Sequence, residues 1–239
     1  MALKVVNTES LDAVANAINS KSGRSGALQF PDGFVEAVEG ISAGGGGESK
    51  LPSIIGRTIT KLTAEDLAGV TKIGAYAFYR STFVNITLPE GVTEIGSSAF
   101  ELSNLQVLTL PSSVTSIGQM AFYSCSKLTS VAIPDTSNLQ TIYTNAFSAC
   151  EKLPSFYIPS GITKINSQTF NNCYLLEYVD LTSYGTDKTF PSLASKNAFS
   201  NCGTNTSAGT FQIRVPAGRK AELASMTNWS TYADNIVEV

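Results

Sequence analysis

The sequence predicts a mainly β solenoid of about six stacked coils with short helices, preceded by a small N-terminal helical hairpin. Three observations support this fold class. A phrase of 22 to 29 residues recurs six times between positions 70 and 216. Each copy carries apolar residues at the alternating spacing of a strand, whereas the first 41 residues follow a helical period. Repeats of this length are typical of coils that bury their apolar edges against one another.

A small residue followed by phenylalanine marks each copy of the repeat. Successive copies are separated by 22, 22, 25, 23 and 29 residues. We expect each phenylalanine to point inward, so that the six rings form an internal column and not a ligand site. These residues are Phe78, Phe100, Phe122, Phe147, Phe170 and Phe199.

Each copy also contains an L-x-x-L-x-L pattern, which places its last two apolar residues on one face of a strand. Proline ends most of these strands, because proline cannot donate to a ladder; these prolines are Pro89, Pro111, Pro134, Pro159 and Pro216. A second extended piece comes next, in which Gly74, Gly96 and Gly118 are expected to permit a turn. A short helical turn around the Ala-Phe pair completes the coil. The predicted in-facing strand residues are Phe83, Ile86 and Leu88, then Leu105, Leu108 and Leu110, then Leu128, Val131 and Ile133, then Leu153, Phe156 and Ile158, then Leu176, Val179 and Leu181.

The four cysteines, Cys125, Cys150, Cys173 and Cys202, each lie three residues after a repeat phenylalanine. Ser81 and Ser103 occupy the same place in the earlier copies. A small residue at one position per coil favours a buried ladder of free thiols. Disulfides between coils and a metal site are the alternatives, although no CxxC pair supports zinc.

The chain ends follow other rules. Residues 1–41 predict two short amphipathic helices, a hairpin too small to be stable without a partner surface. Residues 42–50 are a glycine-rich linker, and residues 51–239 form the solenoid with its caps. Residues 51–69 are expected to cover the first coil. At the other end, a helix over 217–226 is expected to place Leu223 and Met226 over the last coil, with Trp229 packed beneath this cap.

Composition disfavours several classes of function. The chain has no histidine, which removes histidine-based catalysis and zinc ligation. Its net charge of −3 provides no basic surface for nucleic acid. No run of 18 apolar residues predicts membrane insertion, and the N-terminus lacks a secretory pattern. We therefore expect a cytoplasmically made binding protein that is not an enzyme and has no catalytic residues, metal or cofactor.

Two segments resemble known proteins. The phrase ITLPEGVTEIGSSAF followed by LQVLTLP resembles the BspA-type leucine-rich repeats of bacterial surface proteins, and the resemblance covers residues 58–239. It implies a leucine-rich-repeat solenoid used for adhesion. The N-terminal phrase that ends in LQFPDGFVEAVEGI is similar to modules of tail-associated proteins from phages and prophages of Gram-positive bacteria. That similarity implies a virion or tail location, reached without a secretion signal; the alternative is the bacterial cell surface.

The outward strand positions provide the predicted binding surface. Its small polar members are Thr87 and Thr109, whereas aromatic and charged groups are concentrated later in the array. The candidate binding residues are Thr87, Thr109, Tyr157, Tyr178, Asp180 and Arg214. A mixture of aromatic and charged groups suits a surface protein or glycan. We further expect residues 182–196 to form a surface loop, and residues 1–41 to attach to a virion or self-associate into a homo-oligomer.

Overall fold

The computed structural model describes residues 67, 69–206 and 210–239, together with the backbone of 61–62. These residues form fourteen short strands and two short helices. The strands are β1 (Lys61–Leu62), β2 (Lys72–Ile73), β3 (Asn85–Thr87), β4 (Glu94–Ile95), β5 (Val107–Thr109), β6 (Ser116–Ile117), β7 (Ser130–Ala132), β8 (Thr141–Ile142), β9 (Ser155–Tyr157), β10 (Lys164–Ile165), β11 (Tyr178–Asp180), β12 (Ser192–Leu193), β13 (Gln212–Val215) and β14 (Ile236–Glu238). The helices are α1 (Lys220–Ser225) and a 3-10 helix (Trp229–Asn235).

All paired strands run parallel, because each coil stacks on the preceding one in the same direction. One six-stranded sheet has the order β2-β4-β6-β8-β10-β12 and runs along most of the array. The other strand of each coil enters one of two four-stranded sheets, in the orders β1-β3-β5-β7 and β9-β11-β13-β14. We call these the first and second ladder sheets. The mainly β solenoid that the repeat predicts is therefore confirmed.

The core lies between the sheets and is organised around the predicted phenylalanine column. The ring centroids of Phe100 and Phe122 are 5.1 Å apart, and those of Phe122 and Phe147 are 5.0 Å apart, with nearly parallel planes. Phe170 continues the stack to Phe199 at 5.6 Å. All six rings are buried. The aromatic residues at this position are therefore core residues, as predicted.

The corner around each Ala-Phe pair consists of turns and not the helical turn that the sequence predicts. In the first five corners two residues adopt the left-handed conformation, as Ser98 (φ 55°) and Leu102 (φ 59°) do on either side of Ala99 and Phe100, and in the sixth only Asn201 does. The turns allow alternate backbone N–H groups to bond to the next coil: Phe100 donates to the carbonyl of Ala121 over 2.7 Å. The corner therefore adds to the stacking between coils, which a helical turn could not do.

The predicted role of the repeat glycines was wrong. Neither Gly96 nor Gly118 has a positive φ. A Cβ placed on Gly118 would instead lie 2.6 Å from the carbonyl carbon of Gly96 in the coil before it. Glycine is required there because two backbones approach more closely than a side chain permits.

The C-terminal cap largely follows the prediction. The helix begins at Lys220, and its Leu223 is buried while Met226 packs against the core. Trp229 is fully buried, and its indole Nε1 donates to the carbonyl of Pro191 over 2.8 Å. The sequence did not indicate β14, which pairs with β13 and adds a final parallel strand to the second ladder sheet.

The hairpin predicted for residues 1–41, the linker 42–50 and most of the cap segment 51–69 lie outside the described residues. The hairpin and the linker stay predictions.

Candidate binding surface

The outward side chains of the two ladder sheets form one surface, which we call the ladder face. Its character changes along the array. Over the first ladder sheet it presents Thr87 and Thr109 with other small or aliphatic groups. Over the second ladder sheet it presents Tyr157, Tyr178 and Arg214, all of them partly exposed. The six candidate residues therefore fall into a polar pair and a larger group of four.

Parallel pairing brings these candidates side by side. Thr87 is in register with Thr109 across β3 and β5. Asp180 is in register with Tyr157 on one side and with Arg214 on the other. The residues that share a register position lie 22 or more positions apart in sequence, so the fold converts a repeat spacing into a continuous row.

Arg214 makes the most specific contact on the ladder face. Its Cζ lies 3.5 Å from the centroid of the Tyr178 ring, which is a close cation–π contact. Its Nε donates to Oε1 of Gln212 over 3.3 Å. These contacts fix the guanidinium plane against an aromatic ring. A held guanidinium presents planar donors to a carboxylate or to hydroxyl groups with little further loss of side-chain entropy.

Asp180 does not form an ion pair with its register neighbour. Its Oδ1 accepts hydrogen bonds from the backbone N–H of Thr182 over 2.8 Å and from the Thr182 hydroxyl over 2.7 Å. The ion pairs of the described chain join Lys72 to Glu94 and Arg219 to Glu222. The cation of Arg214 and the anion of Asp180 therefore remain available as separate charges beside two tyrosines.

The loop after β11 is partly a structural element. Tyr184 is fully buried, and its hydroxyl donates to the carbonyls of Pro159 and Ile162. Thr186 and Asp187 at its tip are exposed, but the predicted surface loop over 182–196 is confirmed only in its first half, because Phe190 is buried and Ser192–Leu193 form β12. The loop therefore presents its tip while its base is fixed against the preceding coil.

Arg219 holds this loop to the C-terminal cap, a role that no pattern in the sequence indicated. Its Nη1 donates to the carbonyls of Tyr184, Gly185 and Lys188, and its guanidinium pairs with Glu222. Its Cζ also lies 4.3 Å from the centroid of the Phe190 ring. The three carbonyls and the Phe190 ring lie about 30 positions earlier in the chain, beyond the range of any local pattern.

The cysteines form the predicted ladder of buried free thiols. Each thiol donates to the carbonyl of the repeat phenylalanine one coil earlier, as Cys173 does to Phe147 over 3.2 Å. Burial raises the pKa of the Cys125 and Cys173 thiols to about 12. Thiols that are protonated and buried are poor nucleophiles and poor metal ligands. These groups are therefore part of the core, and they contribute nothing to the ladder face.

The described residues contain neither a metal-binding cluster nor a membrane-spanning helix. Nowhere among them do three or more Cys, Asp or Glu side chains come together in a way that could hold a metal ion. Among the same residues, no helix has the length and apolar character needed to cross a membrane.

Comparison with known proteins identifies the repeat. The model of the BspA type leucine rich repeat region matches residues 71–206 in six copies. The chain belongs to this family. The match ends close to the last phenylalanine of the column, so the six family copies and the six phenylalanine positions describe the same coils. No curated protein matches the chain.

Several solved structures are similar to this chain. The leucine rich repeat protein of T. pallidum (TpLRR) is 29% identical, with 58% of this chain and 63% of that chain covered and a TM-score of 0.46. A leucine rich cell surface protein of Faecalibacterium prausnitzii is 31% identical, with 62% of this chain and 43% of that chain covered and a TM-score of 0.43. The pneumococcal vaccine antigen PcpA is 16% identical, with 70% of this chain and 42% of that chain covered and a TM-score of 0.48. The match therefore spans less than two thirds of the length of each of these proteins.

Proposed function

We propose that this chain is a non-enzymatic adhesion protein that recognises a bacterial surface component, protein or glycan, through its ladder face. The observation that carries the proposal is the row formed by Tyr157, Asp180 and Arg214 in register, with Arg214 stacked on Tyr178. Aromatic residues and arginine dominate the energetics of recognition surfaces. Thr87 and Thr109 extend the same surface with smaller polar contacts.

The position of these groups also supports the proposal. They lie on parallel strands of one sheet, in which β11 and β13 are paired on both sides and β9 is paired with β11, so their backbones are held in place before a partner arrives. A preorganised surface loses less conformational entropy on binding than a loop would. The side chains vary from coil to coil while the core positions stay apolar, which separates the recognition surface from the scaffold.

The experiment is a binding titration of the full chain on intact Gram-positive cells and on their purified cell walls. We expect the double variant Tyr178→Ala/Arg214→Ala to bind at least about tenfold more weakly, since aromatic and arginine anchors commonly contribute 2 kcal/mol or more. The matched control is Tyr143→Ala/Lys164→Ala, which removes one tyrosine and one cation from exposed positions along the six-stranded sheet. Equal binding by both double variants would contradict the proposal.

We further propose that the protein works in a phage or prophage tail. The N-terminal phrase similar to phage tail modules supports this role, with residues 1–41 as the attachment or self-association module and 42–50 as a linker. Electron microscopy with an antibody against this chain tests it on particles released by prophage induction. Labelled tails are expected.

The second candidate role is adhesion at a bacterial cell surface, which the BspA-type repeats support. Antibody labelling of the cell envelope, with unlabelled particles, would favour this role and contradict the tail assignment. Either location leaves the ladder face as the recognition surface.

A further inference from the structure

The two ladder sheets do not meet. No ladder joins β7 to β9, and most of their Cα atoms lie more than 8 Å apart. The same two coils are in normal contact elsewhere: β6 pairs with β8, and the Phe122 and Phe147 rings are 5.0 Å apart. The coils are therefore closed at the six-stranded sheet and the phenylalanine column but open at the ladder face. We call this opening the ladder cleft.

Hydrogen bonds that recur in the other coils are missing at the ladder cleft. The residue after each ladder strand normally donates to the last strand residue of the next coil, as Leu88 does to Thr109 and Leu110 to Ala132. Ile158 donates to Asp180 and Leu181 to Arg214 in the same way. In this fully described part of the chain, Ile133 makes no such bond to Tyr157. Backbone groups on both sides of the cleft are thus left without a ladder partner.

The sequence explains the opening. Thr129 donates its backbone N–H to Gln106 over 2.8 Å, and Glu177 donates to Pro154 over 2.8 Å. The residue between them in this row is Pro154, which has no N–H to donate to Thr129. In addition, the corner from Pro134 to Leu139 is two residues longer than the preceding corner from 111 to 114. One missing donor and one longer corner coincide at the same coil.

The wall of the ladder cleft is apolar. Val131 and Ile133 are partly exposed, whereas their equivalents in the coils on either side are buried. Those equivalents are Leu108, Leu110, Phe156 and Ile158. The opening therefore exposes apolar surface between two rows of backbone polar groups, which is the chemistry of a sheet with one strand missing.

We propose that the ladder cleft accepts an extended polypeptide segment of the partner, which inserts as a strand between β7 and β9. Neighbouring strands lie about 4.8 Å apart, so a strand bonded to both walls needs an opening of about 9.6 Å. Most Cα pairs between β7 and β9 are more than 8 Å apart, which is compatible with such a strand. Main-chain hydrogen bonds would supply affinity and the side chains would supply register, as in other cases of strand addition.

The cleft also defines the side chains of the segment. Residues that point inward meet Val131 and Ile133 and should therefore be apolar. Residues that point outward lie beside Tyr157 on the ladder face. The inference rests on the proposed function and narrows it, because it makes the partner a polypeptide and places it next to the predicted binding residues.

Amide hydrogen exchange of the full chain tests the proposal, first without a partner. The amides of Ile133, Ser155 and Tyr157 should exchange at least roughly tenfold faster than those of Leu110, Ser130 and Ile158, because only the latter donate to the adjacent coil. Slow exchange at all of these amides would show a closed cleft and overturn the proposal.

The probe is a capped synthetic peptide with the sequence of residues 104–111, NLQVLTLP, which forms a ladder strand in the native array. Its addition should slow exchange at Ile133, Ser155 and Tyr157 by at least about tenfold. The control peptide has the same sequence with alternate amides N-methylated, which removes donors and keeps the side chains. Absence of protection by the first peptide, or equal protection by both, would overturn strand insertion.

The variant Pro154→Thr provides a second measurement. It introduces the residue type of Thr129 and restores the donor, so the cleft should narrow and peptide affinity should fall at least about fivefold. Unchanged affinity would contradict the proposal. Failure of this proposal is distinguishable from failure of the proposed function. If Tyr178→Ala/Arg214→Ala loses cell binding but the peptide gives no protection, only the strand-insertion proposal is overturned. If the peptide gives protection but the double variant binds cells as well as the unchanged chain, the proposed function is overturned.

Discussion

The coils before and after the ladder cleft share one repeat but differ in how tightly they stack. Before it, Gly74, Gly96 and Gly118 form a column in which each backbone touches the next too closely for a Cβ. After it, Tyr143 and Asn166 occupy the same position of the coil. Asn166 uses its side-chain amide to donate to the carbonyl of Ile142 over 2.8 Å. The repeat therefore tolerates two ways of joining coils, one by backbone contact and one by side chains.

The residues at the left-handed corner positions also differ between the early and the late coils. The early coils place Tyr76, Arg80 and Leu102 there, residues that pay a steric cost in this conformation. The late coils use Asn172 and Asn201, which adopt it readily. Asparagine, which also occupies position 145, thus lowers the strain at three of the late corner positions, whereas Ala149 and Gln168 are left-handed there without that advantage. The late coils also carry the aromatic and charged ladder face. The comparison suggests a regular spacer followed by a relaxed recognition segment.

The largest expected effect comes from cutting the connection between the two groups of coils. Phe147 stacks on Phe122 before the cleft and contacts Phe156 and Phe170 after it. Phe147→Ala should lower the free energy of unfolding by about 3–5 kcal/mol, because it removes a fully buried ring. Urea denaturation measures the change. A loss below about 1 kcal/mol would show that the phenylalanine column does not unite the coils.

The glycine column should tolerate substitution less well than its later counterparts. Gly118→Ala places a Cβ against the backbone of Gly96 and should cost about 1–3 kcal/mol. Tyr143→Ala, at the same position one coil later, is the matched control and should cost less, because Tyr143 is largely exposed. Thermal unfolding of both variants tests the difference. Equal losses would mean that the coils stack alike on both sides of the cleft.

The thiol ladder should make stability depend on alkaline pH. Burial raises the pKa of Cys125 and Cys173 to about 12 in the folded chain, against about 8.5 for a free thiol. Their contribution is complete below about pH 8.5 and is lost as the pH rises toward 12, because only the unfolded thiols ionise in this range. Denaturation at pH 7, 9 and 10.5 measures the slope.

The variant with all four cysteines replaced by serine is the control for this slope, since Ser103 already occupies the position in an earlier coil and contacts the Cys125 sulfur. Its unfolding free energy should fall less steeply with pH than that of the unchanged chain. The same slope in both proteins would assign the alkaline sensitivity to other groups.

The smallest effect concerns strain at the corners. Leu102 is left-handed (φ 59°) and 39% exposed, and Asn172 holds the same corner position in a later coil with φ 60°. Leu102→Asn should therefore stabilise the fold by about 0.5–1 kcal/mol. The reverse substitution, Asn172→Leu, should destabilise it by a similar amount. A higher denaturation midpoint for Leu102→Asn and a lower one for Asn172→Leu would support the difference in corner strain. A destabilised Leu102→Asn protein would refute it.

The sequence predicted the parts of this fold that repeat. Phenylalanine, cysteine and the L-x-x-L-x-L residues recur at one place per coil, so their common burial could be inferred without coordinates. Features that occur once were missed. Arg219 bonds to carbonyls about 30 positions away, and Pro154 opens the ladder only because Thr129 then lacks a donor. The predicted role of Gly118 was wrong because the sequence of one coil does not show how closely the backbone of the next coil approaches it.

The predicted binding residues illustrate the same division. Period-2 spacing placed Tyr157, Asp180 and Arg214 on one face, and the structure puts them in register. The stacking of Arg214 on Tyr178 is diagonal, and the engagement of Asp180 by Thr182 is local. Neither follows from a column of residue types, since both depend on side-chain conformations that the spacing leaves open.

The most direct test of the account is a hydrogen-exchange footprint of the full chain with and without saturating cell-wall fragments from Gram-positive bacteria. If the late coils carry recognition, protection should appear in β9, β11 and β13 and be absent from the six-stranded sheet. Protection centred on β3 and β5, or spread over the six-stranded sheet, would contradict the assignment of recognition to the Tyr157–Arg214 part of the ladder face.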